Sequence, residues 1–184
     1  VAVLARGHVG ARAVLPQGLM LTLGYEAATL AAVGHVAPRP HWPRVTAPLA
    51  VAVPGCAELP AGDWRIHTAL AVRQALPAGW ERNPDPYVAY LDADLLGARP
   101  ILRPRRPGDR IVPLGLGHAQ LVRELMINAK IPAAERASVP LLVARGAAGE
   151  GPIAWVVGWR LGAACAVTPA TTRVAIVRLE ALEV

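Results

Sequence analysis

Short apolar runs, each ending near a proline or a glycine, recur along the chain and predict strands in preference to long helices. The chain contains 17 glycines and 18 prolines, so regular structure is interrupted often. Turn-punctuated runs of this length are typical of a sheet-rich domain. The runs that we interpret as strands are 49–53, 64–72, 87–96, 140–144, 153–157 and 173–182.

One segment has helical periodicity instead. Starting at Leu121, apolar side chains recur at i, i+1, i+4, i+5 and i+8, which places them on one stripe of a helix. Pro132 cannot continue such a helix. We therefore predict one main amphipathic helix at residues 119–130 and an α+β fold class. Since the amides at a helix N-terminus carry partial positive charge, the helix start near Gly117 is expected to attract an anion together with Arg110.

The N-terminal quarter of the chain differs from the rest in pattern. Leucines alternate with other residues over 19–23, which indicates a small β arm within residues 1–37. Prolines crowd residues 38–48 and favour an extended, semi-rigid linker. We predict that residues 49–184 form the remaining domain. Because Val1 is neither a methionine nor the start of a signal peptide, we expect another domain to precede this sequence in the intact protein.

Positive charge is concentrated in one stretch. Residues 99–123 hold six arginines and one acid, a net charge of +5 out of +6 for the whole chain. Within this stretch, Arg106-Pro107-Gly108-Asp109 fits a type II turn, since proline presets φ at the first corner and glycine allows a positive φ at the second. Guanidinium groups clustered on a stiff turn match the oxygens of a polyphosphate backbone. A solvated loop without a ligand is the alternative.

Most catalytic and membrane patterns are absent from the sequence. No apolar run approaches the roughly 18 residues of a membrane-spanning helix, so we expect a soluble protein with no membrane partner. The one serine, Ser138, lies in no nucleophile elbow, and no Walker-type phosphate loop occurs. The five histidines lack the spacing of metal ligands. Cys56 and Cys165 indicate neither a zinc site nor a disulfide framework, and we expect free thiols, with one disulfide between them left open.

Two further features have both a functional and a structural interpretation. Asp92 and Asp94 alternate on a predicted strand and would face one side as an acid pair, although capping of the strand end or simple solvation is commoner. Trp42, Trp64 and Trp80 would stack on nucleic-acid bases, or would fill the core of a chain that has no phenylalanine. In both cases we prefer the structural interpretation.

An ordered set of motifs occupies roughly 75 residues of the second half of the chain. It begins with LRPRRPGDR, continues through PLG and a helix ending AKIP, and closes with PLL, WVVGWR and VTPATTRV. The set resembles the C-terminal region of bacterial tRNA(Ile)-lysidine synthetases. Nearer the N-terminus, LPQGLMLTLGY and PLAVAVPG are similar to the region that precedes this domain in the family.

The resemblance implies a parent enzyme that uses ATP, with Mg²⁺, to adenylate the wobble cytidine of a tRNA(Ile) with a CAU anticodon and to join lysine to it. That chemistry belongs to an N-terminal catalytic domain with a pyrophosphatase loop, which this sequence lacks. The chain is therefore expected to be inactive alone, without a catalytic, cofactor or metal site of its own. We expect it to act in the cytoplasm, in cis with the catalytic domain, and a homodimer is left open.

The resemblance also implies a fold shared with a domain of the phenylalanyl-tRNA synthetase beta chain, and a role in gripping the tRNA. Family members commonly carry two lysines where this chain has Ala119 and Gln120, which weakens the case for a phosphate contact there. Recognition of an RNA stem depends on shape, phosphates and 2′-hydroxyls, so a basic patch suffices for it. Carried over residue by residue, the tRNA contacts are Arg103, Arg105, Arg106, Arg110, Arg123, Lys130 and Arg136.

Two other functions are kept as alternatives. In the first, the chain is a structural or protein-interaction module that positions a catalytic domain without direct RNA contact. In the second and more distant one, it is a self-sufficient enzyme that uses Asp92 and Asp94. This second alternative requires the two carboxylates to lie together in a cleft.

Overall fold

Two antiparallel sheets lie face to face at the centre of the fold, and a short helix covers the second face of one of them. The structure is a computed structural model that describes residues 11–23, 28–32, 42–61 and 63–182. Within these residues strands predominate over helices, as the sequence predicts.

The strands are mostly short and are connected by turns. In chain order they are β1 (Arg12–Leu15), β2 (Leu19–Leu23), β3 (Ala28–Ala32), β4 (Leu49–Ala50), β5 (Gly55–Glu58), β6 (Trp64–Val72), β7 (Val88–Asp92), β8 (Ile101–Arg103), β9 (Arg110–Ile111), β10 (Gln120–Leu121), β11 (Leu141–Gly146), β12 (Gly149–Val156), β13 (Arg160–Leu161) and β14 (Arg173–Ala181). The α-helices of the described residues are α1 (Ala93–Leu96) and α2 (Val122–Asn128).

The two central sheets have the strand orders β13-β12-β11-β8-β4 and β5-β6-β14-β7. The middle of the five-stranded sheet is buried on both faces, and its central strand β11 begins with four apolar residues. Leu142 and Ala144 pack toward the four-stranded sheet, whereas Leu141 and Val143 pack toward α2. All four are at most 2% exposed. A continuous apolar run, without alternation, is what such a strand requires.

Two of the predicted strands are confirmed almost residue for residue. Strand β6 covers 64–72 and β14 covers 173–181, and the two pair in one antiparallel register along their whole length. Trp64 is 3% exposed and lies in the core between the sheets, which confirms the structural interpretation of this tryptophan. Apolar runs bounded by turn residues thus predict these two strands correctly.

The predicted strand at 87–96 is wrong beyond Asp92, where the chain turns into α1. The Asp92 carboxylate accepts hydrogen bonds from the amides of Asp94 (3.0 Å) and Leu95 (3.1 Å). An aspartate in this position satisfies amides that have no partner inside the helix, so it favours a helix start over a continued strand. Strand 49–53 is also shorter than predicted, since only Leu49–Ala50 is regular.

Helix α2 is shorter than the predicted 119–130. Gln120 and Leu121 pair with β9 instead, so the helix begins only at Val122. Gly117 therefore lies outside the helix, and the predicted anion attraction by a helix start near Gly117 is wrong. The buried side chains of the helix, Val122, Leu125 and Met126, belong to the predicted apolar stripe.

The C-terminal end of α2 has the hydrogen bonds of a Schellman motif. The Ile131 amide donates to the Met126 carbonyl (3.0 Å), and the Lys130 amide donates to the Ile127 carbonyl (2.9 Å). Lys130 has a φ of +56°, in the left-handed region that usually selects glycine at this position. Ile131 and Met126 are both buried in the cluster beneath the helix, which is the apolar contact that accompanies the motif.

A three-stranded arm, β1-β2-β3, precedes the central sheets. Residues 1–10 and 33–41, with the first part of the predicted linker, lie outside the described residues. From Trp42 onward the chain packs on the domain, since Val45 is 1% exposed and its amide donates to the Ser138 carbonyl (2.9 Å). The proposed domain boundary stays a prediction.

Gly97 ends α1 in a conformation and a location that exclude a side chain. Its φ is +84°, and an added Cβ would lie 2.1 Å from the Arg145 carbonyl oxygen. Gly79 has a similar φ of +81°, but an added Cβ there would meet no atom within 4 Å. We expect Gly79→Ala to lower the free energy of unfolding by about 1–2 kcal/mol, the cost of a left-handed residue, and Gly97→Ala to lower it by clearly more. Urea denaturation measures both, and equal losses would contradict the close approach to Arg145.

Candidate nucleic-acid interface

The arginine loop, residues 103–110, contains the predicted type II turn. It joins β8 to β9. The Asp109 amide donates to the Arg106 carbonyl (3.2 Å), and Gly108 has a φ of +84°. Pro107 and Gly108 therefore occupy the two corners, as the residue types require.

Arg103 lies in the interior and not on the surface of this loop. It is 4% exposed, and its Nη1 and Nη2 each donate to the Asp109 carboxylate at 2.9 Å. Its Nε donates to Glu150 at 3.3 Å, and Nη1 also donates to the Pro104 carbonyl at 3.0 Å. A buried guanidinium requires partners of this kind, because an unpaired buried charge is strongly destabilising. Arg103 is thus an anchor for the loop.

Arg106 completes a balanced group of charges, the ionic quartet of Arg103, Arg106, Asp109 and Glu150. Its Nη1 and Nη2 donate to the two oxygens of Glu150 at 2.8 and 3.1 Å. Its backbone amide donates to Asp109 at 2.6 Å. Two of the arginines predicted to bind tRNA therefore already have carboxylate partners in this structure.

The carboxylates of the quartet are held in their ionised form. Burial on its own raises the pKa of Asp109, but the hydrogen bonds from Arg103 and the Arg106 amide, with the charges of both arginines, lower it below its ordinary value. Hydrogen bonds from Arg106, and the charges of Arg106 and Arg103, likewise lower the pKa of Glu150. At neutral pH the quartet keeps all its charges and has no net charge.

Three other predicted arginines differ from those of the quartet. Arg110 and Arg123 are exposed, and Arg105 is half-buried with its Nε out of reach of a hydrogen-bond partner. The Arg110 Nη2 donates to the Ala119 carbonyl at 3.3 Å, which does not neutralise its charge. Within the described residues, no carboxylate forms an ion pair with any of these three side chains. Their charge is available to an external anion.

Strand pairing brings Arg110 next to the start of α2. Arg110 is the partner of Leu121 in the β9–β10 pair, and the Val122 amide donates to the Asp109 carbonyl at 2.9 Å. Arg123 follows directly in the helix. The fold thus assembles these two arginines on one part of the molecule, although they are distant in sequence.

Lys130 and Arg136 lie at the opposite end of α2. Lys130 is exposed at the left-handed residue that ends the helix. Arg136 is half-buried, and its Nε donates to the Ile131 carbonyl at 2.8 Å. These two residues therefore form a second basic group, separated from Arg110 by the length of the helix.

A cavity of about 300 Å³ opens beside α2. Leu116, Leu125 and Trp159 contribute apolar surface to its lining. Gln120, Asn128 and Arg160 contribute polar groups, and none of the described residues that line it is acidic. These polar residues come from β10, α2 and β13, and no local sequence motif connects them, so the sequence alone does not identify them as site residues.

Asp92 and Asp94 do not form the acid pair of the enzymatic alternative. Asp92 is 9% exposed, caps α1 and accepts a hydrogen bond from the Thr171 hydroxyl at 2.5 Å. Asp94 lies within α1 and is paired with Arg173. Their predicted alternation on one strand is wrong, since the strand ends at Asp92, and both carboxylates have structural partners.

The remaining candidates are the two cysteines, a metal site and a membrane-spanning helix. Cys56 is exposed and Cys165 is buried, and both are free thiols. Burial raises the pKa of Cys165 to about 11, so this thiol stays protonated in the core. In residues 11–23, 28–32, 42–61 and 63–182, no three His, Cys, Asp or Glu side chains are grouped to hold a metal ion. A helix long and apolar enough to cross a membrane is also missing from this part of the chain.

Comparison with known families and solved structures finds matches to the region that contains the arginine loop and α2. Residues 101–179 match the sequence model of a family described as the TilS substrate C-terminal domain. A crystal structure of a TilS C-terminal domain is similar to this fold, with a TM-score of 0.59 and 26% sequence identity. That similarity covers 74% of this chain and 99% of the other.

Two curated relatives are both tRNA(Ile)-lysidine synthases. The tRNA(Ile)-lysidine synthase of Dehalococcoides mccartyi is 41% identical over 98 residues, which are 53% of this chain and 20% of that protein. The tRNA(Ile)-lysidine synthase of Symbiobacterium thermophilum is 35% identical over 136 residues, 71% of this chain and 26% of that protein. The chain therefore spans about a quarter or less of these two relatives.

The matched sequence and the paired sheets together define the class, which is that of TilS-type C-terminal domains. The chain belongs to the tRNA(Ile)-lysidine synthase family, in which it corresponds to the C-terminal region. This confirms the family resemblance found in the sequence. The expected similarity to a domain of the phenylalanyl-tRNA synthetase beta chain stays a prediction.

Asp109→Asn should destabilise the protein by about 3 kcal/mol at pH 7, because it leaves the buried Arg103 charge without its main partner. Glu150→Gln removes a more exposed carboxylate and should cost less than about 1 kcal/mol. Chemical denaturation at pH 7 measures both changes. Similar losses in the two variants would contradict the central role of Asp109.

The same pair predicts a pH dependence. The folded-state pKa values of Asp109 and Glu150 are depressed, so their stabilisation is fully present above the unfolded-state values of about 4 and is lost as the pH falls through the lower folded-state values. Wild-type stability should therefore decline more steeply below pH 4 than that of Asp109→Asn. Parallel stability profiles for the two proteins between pH 3 and pH 7 would contradict this.

Proposed function

We propose that this chain is the tRNA-binding, non-catalytic part of a tRNA(Ile)-lysidine synthase. The complete enzyme would use ATP to ligate lysine to the wobble cytidine of tRNA(Ile) with a CAU anticodon. An N-terminal catalytic domain in cis would hold the ATP and Mg²⁺. The chain would act in the cytoplasm and be inactive by itself.

The observation that carries the proposal is the unbalanced positive charge of the arginine loop and of the first turn of α2. Arg105, Arg110 and Arg123 have no carboxylate partner within the described part of the chain, in contrast to the balanced quartet. Clustered unpaired guanidinium groups attract nucleic-acid phosphates and release their counterions. We assign phosphate contacts to these three residues, with Lys130 and Arg136 as a second group at the other end of the helix.

The two arginines of the quartet have different roles in this proposal. Arg103 is buried and fixes the loop, so it acts on tRNA only through the geometry of its neighbours. Arg106 is 51% exposed and donates to Glu150 on the surface. It would reach a phosphate by exchanging that carboxylate for the phosphate oxygens.

The balanced quartet also supports a second candidate, a module that positions the catalytic domain without direct RNA contact. In that case the arginines of the loop are mainly structural, as Arg103 is. A gel shift that detects no complex with tRNA(Ile) at low salt, together with stable binding of a separately produced catalytic domain, would favour this candidate over tRNA binding.

Arg110→Ala combined with Arg123→Ala should weaken binding of tRNA(Ile) at least tenfold at 50 mM salt. Each lost phosphate contact should also lower the slope of log affinity against log salt by about 0.7–0.9. Fluorescence anisotropy over a salt series measures both quantities.

The matched control is Arg82→Ala combined with Arg178→Ala. These arginines are also exposed, and the pair removes the same formal charge from other parts of the surface. We expect binding to weaken less than about threefold, with little change in salt slope, since only long-range attraction is reduced. If the two double variants lose affinity equally, total charge and not the surface beside α2 governs binding.

Lys130→Gly should change stability and RNA affinity in opposite directions. Glycine removes the cost of a left-handed residue, so the free energy of unfolding should rise by about 1 kcal/mol. Loss of the ammonium group should weaken tRNA binding severalfold. Lys130→Ala is the control, since it loses the charge but keeps a Cβ; it should bind like Lys130→Gly without the gain in stability. Unchanged tRNA affinity in both variants would remove Lys130 from the interface.

A further inference from the structure

The cavity beside α2 is not explained by phosphate contacts alone. Its volume of about 300 Å³ is at the lower end of the range for small-ligand pockets. Exposed arginines suffice to hold the backbone of an RNA stem, and a stem is far too wide to enter this space. The cavity is therefore suited to a ligand much smaller than an RNA stem.

The walls of the cavity are held in place by contacts outside it. The Leu114 amide donates to the Leu161 carbonyl at 2.8 Å, which fixes the loop before Leu116 against β13. Trp159 packs edge-on against Trp42, with ring centroids 5.6 Å apart. Gln120 is held by the pairing of β10 with β9. A site with fixed walls loses little freedom when it binds a ligand.

The lining combines three kinds of group that a nucleotide needs. Trp159 and Leu125 supply apolar surface for the face of a base. Gln120 and Asn128 supply carboxamides, which both donate and accept hydrogen bonds, as the edges of bases do. The Gln120 amide nitrogen lies 3.3 Å from His118 Nε2, which leaves its carbonyl oxygen available for a ligand. Arg160 supplies a cation for a phosphate.

The cavity adjoins the strand pair that carries Arg110. Gln120 and Leu121 are the two residues of β10, and Leu121 is the pairing partner of Arg110. Arg110 and Gln120 are therefore within two residues of each other across this strand pair, although their side chains lie on opposite faces of it. Among the described residues, those that line the cavity include a cation and no carboxylate, which suits the phosphate of a nucleotide.

We propose that this cavity binds a single unpaired nucleotide of an RNA, with the base against Trp159, its edge at Gln120 and Asn128, and its phosphate at Arg160. The inference rests on the proposed tRNA-binding function, because the basic surface would bring the RNA to the cavity. It adds to that function a site for a single-stranded residue, which a patch that grips only stems does not need.

The first test compares two RNAs that differ only in an unpaired end. One is a blunt 12-base-pair duplex, and the other is the same duplex with a three-nucleotide 3′ overhang. The 184-residue chain should bind the overhang duplex about tenfold more tightly, the gain expected from stacking and holding one base. Equal affinities would overturn the inference.

Variants locate the preference in the cavity. Asn128→Asp keeps the shape of the side chain but adds a negative charge, and should reduce the preference for the overhang to less than twofold while leaving blunt-duplex affinity within about twofold. Arg160→Ala should also reduce the preference, whereas Arg82→Ala should not. The Arg110→Ala, Arg123→Ala double variant should weaken both RNAs alike. A full preference in Asn128→Asp would overturn the assignment to this cavity.

A second measurement separates this inference from the proposed function. In NMR titrations with AMP, GMP, CMP and UMP, the side-chain amides of Gln120 and Asn128 and the indole N–H of Trp159 should shift, whereas inorganic phosphate should not shift them. No shift with any nucleotide overturns the cavity site, even if tRNA still binds in a salt-dependent way. Nucleotide shifts in a chain that does not bind tRNA support the site and overturn the proposed function.

Discussion

A guanidinium group that is taken out of water must find carboxylates, and in this fold that requirement shapes the arginine loop. Arg103 ends β8, which lies between β11 and β4 in the sheet whose middle is buried on both faces. Asp109 comes from the far side of the turn, and Glu150 comes from β12. Without them the buried charge would destabilise the protein by several kcal/mol. The ion pairs therefore tie the loop to the sheet and set the direction in which the chain enters β9.

The same ion pairs divide the arginines of the loop into a structural and an exposed set. A count over residues 99–123 gives a net charge of +5, but it overstates the charge that the surface offers. Glu150 is far from the loop in sequence and neutralises one of its arginines in space. The cations left without carboxylates, Arg105, Arg110 and Arg123, depend on the quartet only for their placement. The unpaired positive charge and the ion pairs that hold the loop thus reside in different side chains.

Features set by local sequence were predictable, and those set by tertiary contacts were not. Strands β6 and β14 follow from apolar runs bounded by turn residues, and the type II turn follows from Pro107 and Gly108. The helix was predicted too long, because pairing of Gln120 with β9 competes with helix formation and periodicity does not register it. Likewise, the Asp92 carboxylate accepts hydrogen bonds from two backbone amides, and these bonds favour a helix over a continued strand. Neither the burial of Arg103 nor the cavity was visible, since both depend on residues from separate strands.

The candidate site lies on one side of the five-stranded sheet, and this division has a physical basis. The opposite face is committed to the four-stranded sheet and forms a core of large apolar side chains. The remaining face is covered by thinner elements, namely α2, the β9–β10 pair and the Trp159–Arg160 turn. Short elements leave gaps between them and expose their polar side chains, so both the cavity and the unpaired arginines occur in this layer. The sheet sandwich supplies rigidity, while the covering layer supplies the exposed charged and polar groups of the candidate site.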